Sequence, residues 1–217
     1  MTISAICACK NREKPLRISL SSWLVEPRID EIIITDWSSN QPLRDLTKLS
    51  TRVKVIRVDG QKWFNQPMPL NLASKLVTGD ELLKLDTDFI INPYYDFIGK
   101  YQIDETSFLS GENNQTEIHI FHSPYFKFLR GLLWLKTKHF IEIGGYNEDM
   151  GDYYAWEDSE IDIRLKMFGL SHKILDYDHN IIHIPHQDSL RTKFFKSFDP
   201  KFSDKVRDEL SLYYFGD

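Results

Sequence analysis

The run Leu82-Leu83-Lys84-Leu85-Asp86-Thr87-Asp88 decides how the rest of the chain is read. It opens as a buried strand and ends abruptly in two carboxylates one residue apart. Side chains alternate along an extended chain, so Asp86 and Asp88 point to the same side. Two like charges held together are costly unless a cation joins them. Hard carboxylate oxygens suit Mg2+ or Mn2+, and such ions keep positions open for phosphate oxygens. A solvated turn that happens to carry two aspartates is the competing reading. The surrounding sequence therefore has to supply a second ligand, a base and a nucleotide pocket.

Upstream, apolar runs alternate with helical patterns. Residues 3–9, 31–36 and 53–58 read as strands, and 82–85 as the fourth. Between them, 16–24, 43–49 and 70–76 read as helices, with Pro15 suited to a first turn. Strand alternating with helix is the sequence form of a parallel sheet in an α/β fold. Ligands bind such sheets beyond the carboxyl ends of the strands. That places Lys10-Asn11-Arg12, Asp36 and the Asp86/Asp88 pair along one rim. Their convergence says more than any one of them.

The second half is less regular. Residues 108–111 and 132–135 read as strands, 118–121 as part of a hairpin, and 138–143 as a short helix. Residues 157–168 form a clear helix, with Ile161, Leu165 and Phe168 on one face and Gly169 as its C-cap. Ile174-Leu175 and Ile181-Ile182 read as strands flanking a turn. No linker rich in Pro, Gly or Ser divides the chain, so one domain is expected over 1–217. It has a nucleotide-binding half at 1–92, an acceptor and catalytic half at 93–190, and a C-terminal tail at 191–217.

Composition excludes several classes. With 41% hydrophobic and 27% charged residues, the 217-residue chain has the makeup of a globular domain. A net charge of -5 and the lack of a basic block argue against a general nucleic-acid binder. The two cysteines, Cys7 and Cys9, share one face of the first strand and make a poor disulfide framework, which fits a reducing compartment. No apolar run reaches membrane-spanning length and no signal-peptide pattern opens the chain. A cytoplasmic protein is expected, with peripheral attachment at a membrane left open.

Two further constellations stand out. Trp156-Glu157-Asp158-Ser159-Glu160 opens the late helix. Acids there are favoured by the helix dipole, so capping alone would explain them. The functional reading makes Asp158 or Glu157 a general base facing the same cavity as the metal, with Trp156 offering a flat face to a sugar. His183-Ile184-Pro185-His186-Gln187-Asp188 follows an apolar strand, and either histidine can complete a metal site begun by the aspartates.

In order, these motifs resemble a known family: a strand with an Asn11-Arg12 loop, a strand ending in Asp36, a helix carrying Asn71, then Asp86-Thr87-Asp88. Gly144-Gly145-Tyr146-Asn147-Glu148, Trp156-Glu157-Asp158 and His186-Gln187-Asp188 follow. The chain looks like a GT-A-fold nucleotide-sugar glycosyltransferase of the family-2 type. Its second half resembles the C-terminal segment of the beta-1,4-galactosyltransferases and bacterial chondroitin-type polymerases. The resemblance covers roughly residues 3–188. It implies an α/β, Rossmann-like, mixed and mainly parallel sheet flanked by helices, with a smaller irregular acceptor-side region.

The resemblance also implies roles. Lys10, Asn11, Arg12, Asp36, Asn71, Lys75, Asp86, Thr87 and Asp88 would bind the nucleotide sugar. Asp88 and His186, with Asp86 nearer the ribose, would hold Mn2+ or Mg2+, and His186 is preferred to His183 because His-Gln follows the family pattern. Asp158 matches the inverting base. Glu157, Gly144, Gly145 and Trp156 match the acceptor side. The implied partners are a nucleotide-sugar donor, UDP-linked by expectation, and a glycan or lipid-linked acceptor, with no nucleic acid. Where the family carries Trp-Gly-Gly-Glu-Asp, this chain has Tyr154-Ala155-Trp156-Glu157-Asp158, so two glycines are missing on the acceptor side. The family's stem and membrane anchor are not recognised either, which points to a soluble microbial or viral form.

Three rivals compete. A haloacid-dehalogenase-type phosphatase opens its domain with the Asp-x-Asp strand, whereas here it is the fourth. A nucleotidyltransferase needs a Gly-rich basic loop after the first strand, which is missing. A non-catalytic sugar-binding module has no use for Asp86, Asp88, Asp158 and His186 together.

Overall fold

The computed structural model describes residues 1–111, 129–152, 156–175 and 180–184. The first half builds β1 (Ile3–Cys9), α1 (Glu13–Val25), β2 (Ile29–Trp37), a 3-10 turn (Arg44–Lys48), β3 (Val53–Val58), α2 (Pro67–Ser74) and β4 (Glu81–Lys84). Then come β5 (Phe89–Ile91), α3 (Phe97–Lys100), β6 (Ser107–Ser110), β7 (Leu133–Lys136), α4 (Thr137–Glu142), α5 (Glu157–Met167), β8 (Ser171–Ile174) and β9 (Ile181–His183).

Seven strands form one sheet in the order β3-β2-β1-β4-β7-β6-β8. β1 pairs in parallel with both β2 and β4, and β2 with β3. β7 runs antiparallel to β4 and β6, and β8 parallel to β6. The expected mixed, mainly parallel α/β sheet is what the chain forms. It continues from the first half into the second through the β4–β7 ladder.

Strands this apolar are explained by cover on both faces. Alternate residues of β1 go to opposite sides. Ala5, Cys7 and Cys9 join Leu16, Leu20 and Trp23 of α1 in one cluster. Ile6 joins Leu70, Phe140, Ile161 and Leu165 in the other. Each fully buried leucine of α1 contributes about 1.5–3 kcal/mol by leaving water. Cys7 and Cys9 are free and buried, and burial pushes the Cys9 thiol up to about 12, so neither is primed for reaction. Among the described residues no helix is long and apolar enough to cross a membrane.

Several expectations need correction. The helix read at 70–76 is α2, which begins at Pro67 because proline is tolerated in a first turn where no N–H partner is needed. The strands read at Ile174-Leu175 and Ile181-Ile182 are β8 and β9, with β8 beginning at Ser171; β8 joins β6, while β9 pairs antiparallel with β5 in a separate two-stranded sheet. β5 and α3 went unread, because three or four residues carry too little periodicity to separate strand from turn. Residues 112–115, the hairpin strand at 118–121, His186 and the tail at 191–217 lie outside the described residues.

Candidate active site

The rim forms where β1, β2 and β4 end, and its first part is the nucleotide-side loop. Lys10, only 6% exposed, donates to the carbonyls of Trp37 at 3.1 Å, Ser38 at 3.4 Å and Gln61 at 2.6 Å. Asp36 is fully buried. Its oxygens accept from Ser39 N at 2.9 Å, Leu43 N at 3.1 Å and Arg57 Nη1 at 2.6 Å. Asn11, at φ 56°, donates its N–H to Ser39 Oγ and accepts from Asn40 N. Lys10 and Asp36 therefore direct their polar atoms into the loop in this structure and shape it.

Past β4 the two aspartates take different partners. Asp88 is buried, with its Oδ2 at 2.7 Å from Arg12 Nη2 and 3.4 Å from His183 Nε2. The β5–β9 ladder puts His183 there, by pairing it with Phe89 and by the Ile184 N–H donating to Asp88 O at 2.8 Å. Thr87 between the aspartates is buried. Asp86 lies on the other side. Its Oδ1 is 2.9 Å from Lys84 Nζ and accepts from Gln66 Nε2 at 3.3 Å. Its Oδ2 lies so close to Gly131 that a Cβ there would sit 1.9 Å away, so a larger residue at 131 would displace the Asp86 carboxylate.

The α5 end brings in the second acid pair. Asp158 stands in the first turn, where the helix dipole favours a carboxylate. Its Oδ1 is 3.1 Å from Lys84 Nζ and accepts from the Tyr146 hydroxyl at 3.3 Å. Lys84 is fully buried. Burial acts to discharge it, but Asp158 and Asp86 outweigh burial and hold its pKa well above the ordinary lysine value. Tyr146 is positioned by Asn71, whose side chain brackets it: Nδ2 donates to Tyr146 O and Oδ1 accepts from Tyr146 N, each at 2.8 Å. Gly144 and Gly145 make the turn at φ 80° and 72°, and a Cβ on Gly145 would lie 2.6 Å from Asn71 Oδ1. Arg164 ties α5 to the same turn through the carbonyls of Ile143 and Gly145, both at 2.8 Å.

Glu157 is buried beside Asp158, and its Oε2 has no hydrogen-bond partner among the described residues. Burial and the Asp158 charge push its carboxyl up from 4.5 to about 8. Asp162, buried and bonded to Ser110 Oγ at 2.8 Å, is raised by burial to about 7. Both groups hold protons in the native state that the unfolded chain releases near pH 4. Their favourable contribution is complete below that point and is lost as pH rises through the native values. Melting temperature should therefore fall between pH 5 and 8, and Glu157→Gln should flatten that slope. An unchanged slope in the variant would mean that Glu157 is already ionised when buried.

The structure thus brings together Arg12, Asp88 and His183 in one group, and Asp86, Asp158, Asn71, Gly144 and Gly145 in the next. Trp156 sits at the N-terminal boundary of α5. Lys75 is not part of either group. It is exposed at the C-terminal end of α2, which leads to the start of β4, whereas the aspartates follow the end of that strand. Sequence reading missed Lys84, Tyr146 and Gln66. A signal for Lys84 existed, because alternation puts it on the same side as Asp86 and Asp88.

Two donors of the kind that the implied divalent ion takes stand together. Asp88 and His183 offer a carboxylate and an imidazole on one spot, which Mn2+ accepts. Asp86 Oδ1 is already engaged by Lys84, and no three His, Cys, Asp or Glu side chains form a metal-binding group among the described residues.

No protein-family model matches the chain, and no curated protein matches it in sequence. Solved structures do. S. aureus TarS 1-349 superposes with a TM-score of 0.62 at 16% identity, over 83% of this chain and 60% of that one. The mannosyltransferase PcManGT from Pyrobaculum calidifontis, in complex with GDP-Man and Mn2+, gives 0.60 at 16% identity, over 80% and 54%. S. aureus TarS 1-349 in complex with UDP gives 0.62 at 16% identity, over 100% and 72%. The chain spans 60% of the TarS 1-349 fragment and 54% of PcManGT. At such identities the likeness speaks for the fold, and the fold is that of the GT-A glycosyltransferases.

Proposed function

We propose that the protein is a metal-dependent, inverting glycosyltransferase moving a sugar from a nucleoside-diphosphate donor, such as a UDP-sugar, to a hydroxyl of a glycan or lipid-linked acceptor. One observation carries this reading: the carboxylates of Asp86, beyond β4, and Asp158, on α5, face a common point at Lys84, beside an Asp88–His183 pair. The ligands of similar structures, GDP-Man with Mn2+ and UDP, support the donor class and the metal.

Asn11 and Arg12 line the nucleotide side, with Asp86 toward the ribose. Asp88 would hold the ion together with His183 or with His186, which lies outside the described residues. A bound Mn2+ or Mg2+ would neutralise the diphosphate and stabilise it as a leaving group. Asp158 accepts the proton of the acceptor hydroxyl. The oxygen of that hydroxyl bonds to the sugar C1, the C1–O bond to the diphosphate breaks, and the diphosphate leaves with the electron pair. Attack from the opposite face inverts the anomeric centre. Glu157, Trp156 and the Gly144–Gly145 turn border the acceptor.

A panel of UDP- and GDP-sugars with and without Mn2+ tests the reading by thermal shift and by release of the nucleoside diphosphate. A ligand that binds only the native state raises its melting temperature, by about 2.7 kcal/mol of stabilisation at a hundredfold excess over Kd. At least one donor should give a Mn2+-dependent shift and turnover. A panel with neither would overturn the assignment.

A further inference from the structure

Lys84 ends β4 as a fully buried ammonium. Its neighbours Leu82, Leu83 and Leu85 are fully buried and apolar, and Lys84 itself is equally buried. Taking an ammonium out of water costs several kcal/mol before pairing, and a buried ion pair often gives way to apolar side chains without loss of stability. The ammonium is nevertheless kept, 2.9 Å from Asp86 Oδ1 and 3.1 Å from Asp158 Oδ1.

We propose that Lys84 is the positioning residue of the reaction, binding the Asp158 carboxylate through one oxygen so that the other is presented to the acceptor hydroxyl. This rests on the glycosyltransferase reading above. Asp158 Oδ1 is shared by Lys84 Nζ and the Tyr146 hydroxyl, while Oδ2 takes no hydrogen bond among the described residues. Two donors on one oxygen fix the plane of the carboxylate. A second link, from Lys84 to Asp86, sets the distance between the donor-side acid and the base. Two elements far apart in sequence, β4 and α5, are thereby held in one register at their reactive ends. The Asn71–Tyr146 bracket supports the same carboxylate from the other side.

The experiment is a double-mutant cycle of Lys84→Met and Asp158→Asn. In turnover, Lys84→Met should lower kcat by about 100-fold, with a much smaller loss of affinity for UDP with Mn2+ through its bond to Asp86. Adding Asp158→Asn should then cost little more, because residues that act as a unit are not additive. A kcat close to wild type overturns the proposal. So does a parallel loss of nucleotide affinity with additive effects, which marks a merely structural lysine. The second arm needs no substrate. Lys84→Met should lower the melting temperature by about 5 °C or more, and Asp158→Asn in that background should recover part of the loss by removing an unpaired buried carboxylate. Strict additivity there overturns the pairing. If the wild type turns over no donor, the functional reading fails, and this arm still decides whether Lys84 holds Asp158.

Discussion

Asp158→Asn is expected to lower kcat by about 10²–10⁴-fold while leaving Mn2+-dependent UDP binding intact. The substitution keeps the shape of the side chain and removes its charge. The amide also has an orientation forced upon it. Lys84 Nζ and the Tyr146 hydroxyl both donate toward one oxygen of Asp158, so the amide oxygen must face them. The amide nitrogen then faces outward, and a donor stands where a proton acceptor is required. Such a loss corresponds to roughly 3–5 kcal/mol of the activation barrier. The nucleotide-side groups Asn11, Arg12 and Asp88 do not touch Asp158, so calorimetry with UDP and Mn2+ should report ordinary affinity. Turnover at the wild-type rate would remove Asp158 from the mechanism, however good its geometry.

Asp88→Ala is expected to weaken Mn2+-dependent donor binding by more than about 100-fold, since loss of a direct ligand exceeds the effect of losing a group behind one. Asp88 is 2% exposed and has both a guanidinium and an imidazole on the same oxygen. Its removal leaves Arg12 and His183 facing each other without the anion that separates them. An ion would then find an imidazole beside a positive charge. The variant should also become indifferent to chelation: EDTA should weaken donor binding by the wild type and make no difference in the alanine protein. Normal Mn2+-dependent binding in Asp88→Ala, measured by calorimetry, would contradict the assignment of Asp88 as a ligand.

The two variants act on different halves of the site, and their patterns should not mix. Asp158 changes rate and spares binding, whereas Asp88 changes binding first. That separation follows from the geometry, because Asp86 and Asp88 turn to different partners although they share a motif. Asp86 meets Lys84 and Gln66, and Asp88 meets Arg12 and His183. From sequence they read as one cation site. A strand end leaves each carboxylate free to find its own neighbours, so alternation alone does not say which cation each one meets.

Much of the framework was legible beforehand. The apolar runs at 3–9, 31–36, 53–58 and 82–85 became β1 to β4, and the helix read at 157–168 became α5 within a residue of each end. Helix α1 was legible because Leu16, Leu20 and Trp23 recur at the spacing of one helical face. The pairing of β8 and β9 was not legible. Both are short, and their partners β6 and β5 are distant in sequence, so local pattern does not choose between them and each other.

What the sequence determined by itself is local: which segments are apolar at a period of two or of 3.6, and hence which ends of a parallel sheet carry Asp36, Asp86 and Asp88. What only the tertiary structure decided is who shares space with whom. Lys84 reaches Asp158 across 74 residues of chain. His183 reaches Asp88 because β9 pairs with a three-residue strand that carries almost no signal of its own. The physical reason is range. Periodicity arises from backbone geometry within a few residues, whereas a buried ammonium is tolerated only where folding has already gathered the carboxylates that satisfy it.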